Sequence, residues 1–278
     1  MKKRIFWTLI SLTLTFSLFG KPALAKVTLS DTVVYTFPLE NNGELSVSDV
    51  NGNISIRGWD RDSARVTVEK VVTASRRKIA KRYLRDIKVN FDSDNSHLTI
   101  EPKFPKGVNG NRNFFDWIFG TGEHVGAKVN FLILVPKKIY AEAENVNGRI
   151  DVKYLTGELD IKCTNGRVTL EDVTGEISSK TVNGRIRATI SDARNLQTLD
   201  LKTVNGSVSV WLPQNVGGRV DLSTMNGGIS TDFPLEMQGK MLRHNVRGRL
   251  GKGHARIRIN TLNGSIHLFK KHIGREEE

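Results

Sequence analysis

Glycine stands at positions 148, 157, 166, 175 and 184 of the stretch NVNGRIDVKYLTGELDIKCTNGRVTLEDVTGEISSKTVNGRI, one in every nine residues. Few folds accept so regular an interruption. Between the glycines apolar residues alternate with polar ones: Ile150 and Val152, Leu159 and Ile161, Val168 and Leu170. Period two marks half-buried strands, so each step is a strand followed by a turn. The steps pair into an eighteen-residue unit, because Asn-Gly at Asn147, Asn165 and Asn183 alternates with Thr-Gly at Thr156 and Thr174. A single Asn-Gly between strands is a hairpin signal, but a constant short period is the mark of stacked coils. The expected fold is therefore all-β, a parallel β-solenoid or β-roll with coils of ~18–22 residues.

In such a stack equivalent residues lie about 4.8 Å apart and form columns. Asn147, Asn165 and Asn183 make one column, where side-chain amides can hydrogen-bond from coil to coil. Asn-Gly recurs at Asn205, Asn226 and Asn263 with spacings of 22, 21 and 37, so the later coils carry loops or hide an extra coil.

The chain divides into five segments. Residues 1–25 carry Lys2, Lys3 and Arg4, an apolar run from Ile5 to Phe19, and Ala23-Leu24-Ala25 at a cleavage position, the pattern of a secretory signal peptide. The run is shorter than a spanning helix needs and is interrupted by Thr8, Ser11, Thr13, Thr15 and Ser17. Residues 26–72 hold the first β-coils and 128–270 the solenoid repeats, with a charged tail at 271–278. Residues 73–127 depart from the repeat. Ile79, Tyr83, Leu84 and Ile87 fall at helical spacing among Arg76, Arg77, Lys78, Lys81, Arg82 and Arg85, which predicts a short basic helix. A strand ending near Phe104 follows, and then a loop insertion that carries Phe114, Phe115, Trp117, Ile118 and Phe119. That is an unusual aromatic load for a loop.

The leader places the mature protein outside the cytoplasm, in a periplasm or secreted. Cys163 is the only cysteine, so stability comes from packing and not from an internal disulfide. The net charge of +13 falls by four to +9 when Lys2, Lys3, Arg4 and Lys21 are removed. Outside the cytoplasm this favours acidic lipids and glycans, or an envelope protein, over nucleic acid, and allows peripheral contact with a membrane.

GNISIRGWDRDSARVTVEK with its Gly58-Trp59-Asp60 turn, the Asn-Gly repeats and the closing GKGHARIRINTLNGSIHL resemble a bacterial extracytoplasmic family of β-strand-repeat proteins of unknown function, often labelled "putative adhesin". The resemblance covers most of the mature chain. It implies a parallel β-solenoid or β-roll without an assigned activity or cofactor. The aromatic loop is not part of it.

Several chemistries can be weighed on the columns. Calcium-binding rolls place an aspartate in each nine-residue step, but three residues past each glycine stand Asp151, Asp160, Thr169, Ser178 and Arg187, and the two aspartates fall on opposite sides of the roll. Glu158 and Glu176 share a column at about 5 Å, a separation used by retaining glycosidases. They give the alternative reading of a polysaccharide-active β-helix enzyme, although corner glutamates are ordinarily solvated and no third group is present to raise one pKa. The six histidines are scattered, without the helical pair of a zinc site.

Arg149, Arg167 and Arg185 follow the Asn-Gly corner in three successive coils, and Lys162, Lys180 and Lys202 precede it. Stacked like charges repel. The edge is either simply solvated or binds an anion. Trp59 and Trp211, at strand ends, are expected to seal the core. The sequence thus describes a non-enzymatic recognition or scaffolding protein of the envelope, adhesin-like and without cofactor or metal. Its candidate ligand-binding residues are Arg149, Arg167, Arg185, Phe114, Phe115, Trp117 and Phe119.

Overall fold

A computed structural model describes residues 26–105, 125–237 and 244–271. The all-β expectation holds, with one helix among the described residues. The first strands are β1 (Val27–Pro38), β2 (Glu44–Asn51), β3 (Ile54–Trp59) and β4 (Ser63–Ala74). Helix α1 (Arg77–Asp86) leads to β5 (Lys88–Ser93) and β6 (His97–Lys103). The central repeats form β7 (Gly126–Pro136), β8 (Lys138–Asn147), β9 (Ile150–Lys153), β10 (Thr156–Asn165), β11 (Val168–Asn183) and β12 (Ile186–Ile190). There follow β13 (Thr198–Asn205), β14 (Val208–Leu212), β15 (Gly218–Asn226), β16 (Ile229–Thr231) and β17 (Glu236–Met237). The last are β18 (Asn245–Leu250), β19 (Ala255–Asn263) and β20 (Ile266–Lys270).

These strands build two facing ribbons of sheet. In one, here sheet A, the spatial order is β1-β4-β7-β3-β9-β11-β12-β14-β20-β16. In the other, sheet B, it is β5-β6-β2-β8-β10-β11-β13-β19-β15-β18-β17. β11 belongs to both, turning the Thr174-Gly175 corner from sheet A into sheet B. The interior of each ribbon is parallel, with Thr156 opposite Thr174 and Asn165 opposite Asn183. The ends are antiparallel, through β1 with β4 and β5 with β6 at one end and β15, β18 and β17 at the other.

Spatial order departs from chain order twice. β2 and β3 lie between the β6/β7 and β8/β9 levels, and the last coil, β19 and β20, is inserted between β13/β14 and β15/β16. The spacing of 37 between Asn226 and Asn263 encloses β17 and β18 before the chain returns to the inserted coil, whereas Asn183 and Asn205, 22 apart, remain neighbours. In space the asparagines follow one another as 147, 165, 183, 205, 263 and 226. Each Nδ2 from Asn165 on donates to the Oδ1 of the asparagine before it, at 3.1, 2.9, 2.8, 2.7 and 2.8 Å.

The core is layered in the same columns. Ala141, Leu159, Ile177, Leu199, Ile257 and Val220 are buried in sheet B, facing Ile150, Val168, Ile186, Val208 and Ile266 of sheet A. α1 links β4 of sheet A to β5, the outermost strand of sheet B, packs on β1 and β4 and buries Ala80 and Tyr83. Local signals do not favour it. Its N-cap, Arg76, makes no side-chain cap bond and its first turn holds no acid, so packing rather than capping or the helix dipole holds it. Beside it Tyr35, Phe37 and Phe91 cluster between β1 and β5, with centroids 4.6 and 5.0 Å apart for the two contacts to Phe91.

The corners set the coil spacing. A Cβ built on Gly166 or Gly184 would stand 1.6 Å from the carbonyl oxygen of Gly148 or Gly166 in the preceding coil, whereas one on Gly228 meets nothing within 4 Å. Gly184→Ala is therefore expected to destabilise by about 3–5 kcal/mol, the range of the largest single-site effects, with Gly228→Ala near neutral in denaturant titration. Asn165→Ala, which removes one donated and one accepted bond of an exposed ladder, should cost about 1–2 kcal/mol. An unchanged melting temperature would contradict a structural role for the ladder.

Candidate functional site

The Asn-Gly corner generates two further columns. Outside it, Arg149, Arg167 and Arg185 come into register through the backbone: Ile150 N–H donates to Arg167 O and Val168 N–H to Arg185 O, both at 3.0 Å. All three side chains are exposed, and among the described residues none forms an ion pair. Like charges held at strand spacing repel, so the column carries uncompensated positive potential. It ends where Ile186 N–H bonds to Ser207 O. The shorter serine leaves a hollow of about 360 Å³ lined by Arg185, Arg187, Asn205, Ser207 and Ser209.

The lysine side of the corner is different. Lys162 pairs with Glu142, Glu144 and Asp160 at 3.0, 2.8 and 3.1 Å, and those acids hold its ammonium pKa above the usual lysine range. Lys202 pairs with Asp200 at 2.8 Å. Only Lys180 of the three has no ion pair among the described residues. Acids two residues back on the strand and one coil away neutralise the expected basic edge here, so free charge lies on the arginine side.

Inside the corner runs a column of buried polar side chains that sequence reasoning missed: Asp49, Asn145, Cys163, Thr181, Thr203, Thr261 and Thr224 in spatial order. Most hold a corner glycine carbonyl of the coil before. Asn145 donates to Gly52 O at 2.9 Å, Thr203 to Gly184 O at 3.0 Å, Thr261 to Gly206 O at 2.9 Å and Thr224 to Gly264 O at 2.8 Å. The signal was present, since each lies two residues before an Asn-Gly. The Cys163 thiol points to Gly148 O, and burial pushes its pKa up to about 11, so it is a packing group and not a nucleophile. Asp49 accepts from the Val50 and Asn51 N–H groups, but its Oδ2 has no partner, and burial raises its pKa from 3.8 to about 7.

Other candidates fall as follows. Glu158 and Glu176 are opposite each other in register and both exposed. Asp151 lies in sheet A and Asp160 in sheet B, and the described residues contain no group of three acidic, histidine or cysteine side chains able to hold a metal. Phe114, Phe115, Trp117 and Phe119 lie outside the described residues. The tryptophans correct an expectation. Trp211 alternates with buried Val210 and Leu212, so its ring lies on the outer face of sheet A, stacked on Phe269 at 5.0 Å. Trp59 is likewise outside, its indole N–H bonded to Ser63 O at 2.8 Å and the Arg61 guanidinium over its ring.

A family model, Toastrack DUF4097, matches residues 15–268. The chain belongs to the Toastrack DUF4097 family. The resemblance read from the Gly58-Trp59-Asp60 turn and the closing strand holds. Among solved structures, a "putative cell adhesion protein" from Clostridium sporogenes ATCC 15579 is similar at 14% identity and a TM-score of 0.46, over 87% of this chain and 100% of that one. A "putative adhesin" from Parabacteroides merdae ATCC 43184 is similar at 9% identity and 0.27, over 85% and 95%. A "putative lipid binding protein" from Parabacteroides distasonis ATCC 8503 gives 10% and 0.28, over 87% and 97%. At these scores the likenesses carry no information about ligands. No curated protein matches the chain.

Asp49 makes stability depend on pH. A carboxyl whose folded pKa is raised from 3.8 to about 7 favours the fold fully below pH 4, and this contribution is lost as pH rises through 7. Asp49→Asn should remove that loss, raising stability at pH 8 by on the order of 2–4 kcal/mol and flattening the profile between pH 4 and 7. Chemical denaturation across that range checks it.

Proposed function

We propose that this protein is a non-enzymatic recognition scaffold of the bacterial envelope, a parallel β-solenoid with coils of about 18–22 residues. In this reading residues 1–25 are a cleaved signal peptide, and the mature chain works in a periplasm or outside the cell. Its ligand is an anionic envelope component, a glycan, a lipid or an acidic protein surface. Arg149, Arg167 and Arg185 meet its phosphates or carboxylates with forked donors, while Phe114, Phe115, Trp117 and Phe119 supply apolar contact.

One observation carries the reading. The arginine column stands in register without acidic partners among the described residues, while the lysines across the corner are largely paired with acids. A purely structural surface would be expected to compensate both. Preorganised charges at regular spacing favour a partner that carries repeated anions.

Co-sedimentation with lipopolysaccharide, or with vesicles containing phosphatidylglycerol, tests this at low salt. The wild-type protein should bind, and binding should weaken as ionic strength rises. Arg167→Ala with Arg185→Ala should weaken it roughly thirtyfold, at about 1 kcal/mol for each cation near an anionic surface, without lowering the melting temperature. Absence of binding, or indifference to the double substitution, would overturn the arginine site. Serine at Phe115 and Trp117 should reduce association and spare stability if those rings touch ligand.

A further inference from the structure

We propose that the outer face of sheet A beside the arginine corner binds a short acidic oligosaccharide, with one sugar ring packed on Trp211, which Phe269 buttresses, and its anionic group on Arg187. This rests on the reading that the corner takes an anionic envelope component, and it names the class of that component.

The face is built in two in-register rows. One row runs Thr169, Arg187, Ser209, His267, and the next runs Thr189, Trp211, Phe269. Strand alternation alone would fill both with polar residues. The second row instead presents two stacked rings, at 5.0 Å and 25°. His267 stacks on Phe269 at 5.8 Å and 12°, and its Nδ1 lies 2.7 Å from Ser230 Oγ. Phe269 covers one face of Trp211, and the half-exposed Trp211 ring lines the adjoining hollow, where it offers apolar surface. The C–H face of a pyranose matches such a surface.

A hollow of about 470 Å³ lies over this face, within the size range of small-ligand clefts, and it is lined by Thr169, Glu171, Arg187, Thr189, Trp211 and Lys270 among others. Arg187 also lines the 360 Å³ hollow at the arginine corner, so the two hollows adjoin at its side chain. From Arg185 to Thr189 the strand runs about 13 Å at ~3.3 Å per residue, roughly the length of two or three sugar rings.

The lining joins positive charge to hydroxyl groups. Arg187 is exposed and in no ion pair among the described residues. It can meet a carboxylate or phosphate bidentately. Glu171, the one carboxylate of the lining, is paired with Lys153, and Lys270 and Lys271 add to the positive charge of Arg187. A ligand with one charge among several hydroxyls uses both, with Glu171 accepting from a hydroxyl and the Thr169, Thr189 and Ser209 hydroxyls donating or accepting around it.

Titration calorimetry of the mature protein tests the proposal, with trigalacturonate and glucose 6-phosphate as carboxylated and phosphorylated probes and maltotriose as neutral control. At least one acidic probe should bind more tightly than maltotriose. Trp211→Ala should weaken it tenfold or more, Trp211→Phe should restore most of the affinity, and Arg187→Gln should bring the acidic probe down to the level of the neutral one. Melting temperatures near wild type for Trp211→Phe and Arg187→Gln keep the result free of unfolding. The proposal is overturned if neither acidic probe binds at millimolar concentration, or if Trp211→Ala and Arg187→Gln bind as wild type. If Arg167→Ala with Arg185→Ala abolishes sedimentation with lipopolysaccharide while Trp211→Ala changes no affinity, the corner reading survives and this one fails. If acidic-probe binding depends on Trp211 while sedimentation is insensitive to the corner arginines, the saccharide face stands and the corner reading fails.

Discussion

Everything in this molecule is indexed to the approach of one backbone corner upon the next. Each Asn-Gly turn brings a glycine so near the preceding coil's carbonyl that no side-chain carbon fits between them. Coils can then stack without slipping, because a shift of one residue would place a Cβ in the gap and exchange inner and outer side chains at once. Two ladders pin the same corner from either side. The asparagine amides run along the outside, and the buried threonine, cysteine and asparagine side chains hold the glycine carbonyls from within. Columns of like residues follow from that register, including the arginines.

Much of this was legible in the glycine rhythm, because a corner that excludes Cβ writes itself directly into sequence. The asparagine column and the alignment of Arg149, Arg167 and Arg185 followed from the period alone. What could not be read was which coil neighbours which once the period broke. A spacing of 37 between Asn226 and Asn263 says nothing of the ladder order, in which Asn263 precedes Asn226. The inner polar column escaped because threonine before a turn reads as exposed, although its place two residues before Asn-Gly sets buried Thr203 apart from exposed Thr164, one residue before. Trp211 was misplaced through its position at a strand end, although alternation with Val210 and Leu212 already directed it outward. The lysines were read one residue at a time, whereas their acids lie two residues back on the same strand and, for Lys162, also in the neighbouring coil.

Electrostatics on this surface is therefore decided by columns and not by net charge. On the outer face of sheet B Lys162 and Lys202 are paired with carboxylates, and such exposed pairs contribute little stability but cancel the charge of those two lysines. Exposed arginines without an ion pair among the described residues stand at the corner, at Arg187 of sheet A, and at Arg219, Arg256 and Arg258 of sheet B. A ligand approaching a chain this basic meets a directed charge pattern, with aromatic surface beside it. The spacing of these charges is fixed by the hydrogen bonds of the sheet.

The insertion of β19 and β20 between β13/β14 and β15/β16 has a consequence for how the molecule comes into being. A simple stack can grow in the order it is synthesised, each coil templating the next. Here β15 has no parallel neighbour until the last coil arrives, so the C-terminal levels cannot close before residue 270 is available. A chain cut before β19 would leave β13 and β14 on one side and β15 and β16 on the other without their parallel neighbours, with ribbon edges exposed.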